Sequence, residues 1–227
     1  MGRKGKLAVN AAIDHVFICS SVGAAAEADA LVRLGLHEGS PNTHPGQGTA
    51  CRRFFFENAY LELFWVADPR EAQADEVLPT SLFERWSKRH DGGCPFAIIF
   101  RPGDEAGAVS PPFPSWSYRP SYMPAGVAIE VARETPLAGP EFFYLGFQRG
   151  RPRQDQERID HALPIRRLVG VTVWRPPSGD SAAAQALQAA GLVAFRDAED
   201  HRIELRFDGA SHGQADARPA LPLTLVW

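Results

Sequence analysis

The chain has 227 residues, enough to bury a sizeable core in one or two domains. A formal net charge of −3 lacks the basic excess that a general nucleic-acid or acidic-membrane binder needs, and no apolar run approaches the roughly 18 residues of a membrane span. Cys19, Cys51 and Cys94 are odd in number, far apart and without a Cys-x-x-Cys pair, which points to a reducing compartment and away from a disulfide framework or a cysteine-rich zinc site.

The start, "MGRKGKLAVNAAIDHVFIC", is basic and then apolar, like a secretory signal. Asn10, Asp14 and His15 interrupt the apolar run and no small-residue cleavage site follows, so a cytoplasmic protein is expected. "AAIDHVFIC" is a β-branched and aromatic run of strand length. It leads into "GAAAEADALVRLG", where Ala24, Ala28 and Leu31 recur at helical spacing and Gly35 stands as the helix stop. "HPGQGT" follows as a loop, whose Gly46 and Gly48 either turn the chain or let backbone approach a ligand. A hairpin comes next, "ACRRFFFENAYLELFWV", turning at Glu57–Asn58.

"CPFAIIFRP", "AGVAIEVAR" and "PEFFYLGF" read as strands in the middle of the chain. The stretch between the first two, "PGDEAGAVSPPFPSWSYRPSYMP", is too rich in proline for a regular helix. Residues 148–160 are polar and charged, an expected exposed linker. The end repeats the beginning: "RRLVGVTVW", then "SGDSAAAQALQAAG" with Ala183, Leu187 and Ala190 at helical spacing and Gly191 as the stop, then "RIEL" aligning with "YLEL".

Strand alternation separates two glutamates. Glu62 shares its face with Tyr60 and Phe64, so the carboxylate must be protonated, hydrogen-bonded or bound to a cation. A pocket role stands against a structural pair with Arg52 or Arg53 across the hairpin. Glu204 shares its face with Arg202 and Arg206 and reads as a surface carboxylate. His15 lies with Ile13 and Phe17, either a satisfied core histidine or a ligand paired with Glu62. No Gly-x-Ser-x-Gly, Walker loop, Rossmann fingerprint or His-Glu-x-x-His occurs.

Taken together, "IDHVFI", "LVRLGL", "HPGQGTACRRFFF" and "YLELFWV" resemble the vicinal oxygen chelate superfamily, in particular its glyoxalase-like domain branch. The resemblance implies an α+β fold of βαβββ units that wrap a curved mixed sheet around a pocket. Residues 8–227 would form one assembly, with units at about 8–67, 94–147 (degenerate) and 163–227. It implies a divalent metal (Mn, Zn, Ni or Fe) held by a first-strand His and a fourth-strand Glu of each paired unit, which places His15 and Glu62 as ligands. Gly170 and Glu204 occupy the matching positions of the last repeat, and Phe96, Ala97, Tyr144 and Leu145 lie near those of the middle one.

His44, Gly48, Thr49, Tyr60 and Phe64 would surround the ligand, with Glu62 shuttling a proton while the metal acts as a Lewis acid. The function implied is a small-molecule pocket in a metal-dependent lyase, isomerase or dioxygenase-type oxidoreductase. The alternative is a metal-free protein that binds or sequesters a small molecule. Because Gly170 removes a ligand, glyoxalase I activity is not expected. The partner would be a small molecule, not nucleic acid or membrane, with the protein a monomer or homodimer.

Overall fold

A computed structural model describes residues 10–103, 110–148, 157–209 and 212–227. The first unit runs β1 (Ala11–Cys19), α1 (Ala25–Arg33), β2 (Asn42–His44), β3 (Thr49–Phe55) and β4 (Tyr60–Val66). Gly35, at φ +100°, ends α1 as expected, and Leu36 N–H returns to the Leu31 carbonyl in the glycine-terminated manner. The helix starts without a side-chain cap at Ala24; instead Glu27 reaches back to the backbone N–H and hydroxyl of Ser21.

After a short helix α2 (Leu82–Ser87), the middle unit supplies β5 (Phe96–Pro102), β6 (Ser115–Tyr118), β7 (Ile129–Ala132) and β8 (Glu141–Tyr144). β5, β7 and β8 fall where expected, β6 forms within the proline-rich stretch, which the sequence pattern does not mark as a strand, and among the described residues no helix bridges β5 and β6. The two units join into one eight-stranded sheet, ordered β2-β3-β4-β1-β5-β8-β7-β6. Each half has the same plan: first and last strands run parallel, β1 with β4 and β5 with β8, and the halves meet where β1 lies antiparallel to β5.

The period-2 pattern sorts side chains to two faces. Val16 and Ile18 of β1, with Leu61 and Leu63 of β4 and Phe96, Ile98 and Phe100 of β5, pack against α1 and the last third of the chain. Phe17 and Cys19, with Phe64, Ala97, Ile99 and Phe143, face the opposite way and form a separate cluster with Leu82 of α2. Each fully buried Leu, Ile or Phe contributes about 1.5–3 kcal/mol, so the first face cannot be left to solvent.

What covers it is a second sheet. β9 (Leu168–Arg175), α3 (Ala182–Ala189), β10 (Ala194–Asp197), β11 (Arg202–Phe207), β12 (Gln214–Asp216) and β13 (Leu223–Val226) form a sheet ordered β10-β9-β11-β13-β12. Ser181 caps α3 by accepting from Ala184 N–H, and Gly191 at φ +75° closes it. Here the connectivity departs from the first unit. β9 lies parallel to β10 and antiparallel to β11, whereas β1 lies parallel to β4. The short chain between α3 and β11 has no room for a long hairpin, so β10 takes the place beside β9. The likeness of "RIEL" to "YLEL" is one of strand pattern, not of position in a unit.

Gly170 is therefore not a lost ligand of the cup. It pairs with Arg206 on the second sheet's outer face, where an added Cβ would meet only the Arg206 Cβ at 3.7 Å. Glu204 lies on that face too, 3.4 Å from Arg206 Nη2, as its alternation implied. Of the expected linker, residues 149–156 lie outside the described residues. At its described end residues 158–160 are exposed, while Glu157 accepts from the Ser40 backbone N–H at 2.9 Å and from the Ser40 hydroxyl.

Candidate functional site

A cavity of about 740 Å³ opens on the face that carries Phe17, Phe64, Ile99 and Phe143. That volume falls in the range of small-molecule sites, roughly 300–1,000 Å³. Most of its wall is aromatic and aliphatic; its ionisable imidazole and carboxylate groups come from the first unit, with His15 on β1, Glu62 on β4 and His44 on β2, beside Tyr60, Asn42 and Gln47, while the middle unit adds the hydroxyls of Tyr118, Ser121 and Tyr122.

His15 and Glu62 are both buried, 9% and 4% exposed, and meet at 3.8 Å between Nε2 and Oε2. The His15 ring stacks on Tyr60, with centroids 4.3 Å apart, while its Nδ1 lies 2.7 Å from Oδ1 of Asp14. A next-door residue on a regular strand would point to the opposite face. The ladder between β1 and β5 slips by one residue between Ile13 and His15, and the extra residue is Asp14. This bulge turns a carboxylate back toward its neighbour. Behind it, Asp14 Oδ2 lies 3.9 Å from Arg101 Nε, so the buried carboxylate has a cation beside it.

Among the described residues no lysine or arginine pairs with Glu62, whose Oε2 faces His15 Nε2 at 3.8 Å. Glu62 Oε1 accepts from the Cys51 thiol at 3.3 Å, and the thiol is held protonated by burial and by the adjacent carboxylate. The expected alternative, a pair with Arg52 or Arg53, does not form. Arg52 makes a two-point bond to Glu38, and Arg53 binds the Ser40 carbonyl and hydroxyl. Both arginines have nearer partners in the loop before β2, and that leaves Glu62 to the cavity.

The "HPGQGT" loop builds the cavity rim. His44 is held between Asn42 Nδ2, 3.1 Å from its Nε2, and the Thr49 hydroxyl, 3.0 Å from its Nδ1; burial depresses its protonation. Thr49 also accepts from Gln47 Nε2 at 2.7 Å, and Gln47 Oε1 accepts from the Tyr122 hydroxyl at 3.3 Å. Thus His44, Tyr60 and Phe64 line the cavity, while Thr49 stands behind the lining as the group that holds His44 and Gln47. Gly48 also lies behind it. At φ +70°, an added Cβ would fall 2.3 Å from the Asp68 carbonyl oxygen and 2.6 Å from Ala72 N, so this glycine is required by the approach of the following chain.

The remaining wall comes from residues not anticipated as site residues. Tyr118, Tyr122, Met123 and Ile129 of the middle unit close one side, and Leu82 of α2 another. Burial raises the Tyr60 and Tyr122 phenols, keeping both as hydrogen-bond donors. No local signal marks these residues as lining, because they meet the first unit only through contacts far apart in the chain, such as Tyr122 with His44 and Gln47.

Whether the donors fit a metal depends on that seam. The register sets Ile99 opposite His15, and Phe143 and Leu145 complete the middle unit's contribution to the same wall. The second half of the cup thus brings hydrocarbon where a second imidazole and carboxylate would be needed. Among the described residues no three His, Cys, Asp or Glu side chains are grouped to hold a metal ion. A zinc-type centre uses three or four protein ligands. His15 and Glu62 supply two, so a closed four-ligand centre does not fit this chain.

Two halves of like plan joined into one sheet, with a cavity on one face and an imidazole–carboxylate pair in it, define a cup of paired βαβββ-type units. The family model described as glyoxalase-like domain matches residues 13–173, more than half of the chain, and the protein belongs to that family within the vicinal oxygen chelate superfamily. Among solved structures, a hypothetical protein from Staphylococcus aureus is similar at a TM-score of 0.52 with 11% identity, covering 95% of this chain and 98% of that one. A xylose isomerase-like TIM barrel/4-hydroxyphenylpyruvate dioxygenase fusion protein reaches a TM-score of 0.49 at 12% identity, covering 88% of this chain and 36% of the fusion. At 11% identity the first of these speaks to the fold alone. No curated protein sequence matches the chain. Among the described residues no helix is long and apolar enough to cross a membrane.

Proposed function

We propose that this protein binds a small organic molecule in the cup, with no metal centre shared between the two halves. The observation that carries this reading is the asymmetry of the wall: His15 and Glu62 on one side, Ile99, Phe143 and Leu145 on the other. An apolar body would lie against the middle unit and a polar end against the first. With Nδ1 turned to Asp14, His15 presents Nε2 to the cavity beside Glu62 Oε2, so a polar group of the ligand can reach both. Glyoxalase I turnover of a glutathione–methylglyoxal hemithioacetal is not expected, for want of donors from the middle unit.

A second reading has one specific observation in its favour. Metal-ligating histidines commonly donate their other ring nitrogen to a carboxylate, as His15 does to Asp14. In that reading His15 and Glu62 would hold Mn, Zn, Ni or Fe, which supplies Lewis-acid chemistry when bound, in a lyase or oxidoreductase of the superfamily's kind.

The two readings are separated by melting the purified protein in chelator and then with each metal, alongside a library of ring-containing small molecules. A ligand at a hundred times its Kd stabilises by about 2.7 kcal/mol, a shift of several degrees. Shifts from library compounds in chelator, with none from metals, are expected. A stoichiometric metal that shifts the parent but not His15→Ala would overturn the metal-free reading.

A further inference from the structure

We infer that the cavity takes an organic cation: a ring-bearing apolar molecule whose protonated amine seats between Nε2 of His15 and Oε2 of Glu62. This rests on the binding-pocket reading above and names the chemistry of its ligand.

The charge of the wall comes first. Among the described residues that line the cavity, none is a lysine or an arginine. Asp14 has Arg101 beside it, and Arg52 and Arg53 are engaged by Glu38 and Ser40. Glu62, only 4% exposed, accepts one thiol at Oε1, and among the described residues no donor reaches Oε2. A buried carboxylate with a free oxygen aimed into a cavity is costly until a donor or a cation arrives.

The geometry of the gap narrows the choice. When the ring donates Nδ1–H to Asp14 and carries no second proton, Nε2 is an acceptor, and two acceptors then face each other 3.8 Å apart. A single hydroxyl hydrogen serves only one of them. An ammonium nitrogen, with several N–H bonds and contact distances of about 2.7–3.2 Å, reaches both. Its bond to the carboxylate is charge-assisted, about twice as strong as a neutral one.

The walls suit the same ligand. Phe17, Phe64, Tyr118, Tyr122 and Phe143 line the cavity and bury a hydrocarbon body. A carboxylate or phosphate end would instead meet Glu62 with like charge and find no lysine or arginine among the described lining residues. The wall therefore selects by sign as well as by shape.

A matched fluorescent series tests this. Dansylcadaverine carries a primary amine, its N-acetyl derivative is neutral, and dansyl-6-aminohexanoate is an anion on the same ring system. Each is titrated into the full-length protein at pH 7.5 in low salt with EDTA, reading the polarity-sensitive dansyl emission and confirming by equilibrium dialysis. The amine is expected to bind at least about tenfold more tightly than the acetyl form, with the anion weakest. Glu62→Gln should bring the amine to the level of the acetyl form.

Equal binding of amine and acetyl form, or tighter binding of the anion, would overturn the cation while the pocket reading stands. Failure of all three to bind at millimolar concentration would overturn the pocket reading with it. The series in the unmodified protein decides the matter even if the variant does not fold.

Discussion

Glu62 and Asp14 are buried carboxylates on either side of one imidazole, and they answer oppositely to loss of charge. Asp14 is paired twice, with His15 and Arg101, so Asp14→Asn breaks a buried ionic arrangement and should cost on the order of 3 kcal/mol. Glu62 holds its charge for the cavity, so Glu62→Gln should leave stability unchanged or raise it by up to about 1 kcal/mol. Urea midpoints of the two variants check this; a large loss in Glu62→Gln would make the acid structural. The histidines report differently. Burial lowers the pKa of His44, His161 and His201 from the ordinary 6.5. The unfolded chain then takes up protons that the folded chain refuses, so stability is level above pH 6.5 and falls as pH drops below it. His161 is fully engaged, with Nδ1 accepting from the His37 backbone N–H and Nε2 donating to the Phe55 carbonyl. His161→Gln should show a shallower decline than the parent between pH 6.5 and 5, and parallel curves would refute the assignment.

At the scale of elements, α2 is too short to be stable alone, and one side chain anchors it. Arg85 is 0% exposed and donates to the carbonyls of Cys94, Leu137 and Gly139 and to Glu141. It thereby ties the start of β5 to the chain entering β8, and it sets Leu82 against the cavity. Glu141 is raised by desolvation, against which the Arg85 charge acts. Arg85→Met should therefore cost about 3–5 kcal/mol, since it strands a buried carboxylate and several carbonyls. Adding Glu141→Gln should return part of the loss. A double-mutant cycle read by urea denaturation measures that coupling, and strict additivity would show that the two side chains act independently.

Over the whole molecule, the cup depends on the sheet behind it. Asn58, in the hairpin turn of the first unit, donates to the Leu168 carbonyl at 2.9 Å and accepts from the Leu168 N–H at 2.8 Å. The Glu57 N–H also donates to the Arg166 carbonyl at 2.9 Å, and Phe56 packs on Phe207 with centroids 4.5 Å apart. This clasp seats β9 on the covered face of the eight-stranded sheet. Asn58→Ala removes two partly buried hydrogen bonds and should cost about 1–2 kcal/mol. Trypsin should then cut faster at Arg166 and Arg167; unchanged cleavage would place the anchoring elsewhere.

Much of this was legible in local pattern. Period-2 runs marked β1, β3, β4, β5, β7 and β8, helical spacing with Gly35 and Gly191 marked α1 and α3, and an acid on an apolar strand face marked Glu62. These depend on residues close in sequence, where side-chain direction follows from spacing alone. What pairs with what depends on contacts far apart in the chain, and those the tertiary structure decided. It joined the first unit to the middle one rather than to the last, because the apolar faces of β1 and β5 complete one sheet while the last segment's shorter loop makes another. It brought Ile99 opposite His15, and so left the pair without donors from the second half. It also placed the bulge at Asp14: nothing in "IDHVF" announces a residue too many, and only the ladder with β5 shows the slip that turns the carboxylate onto its neighbour.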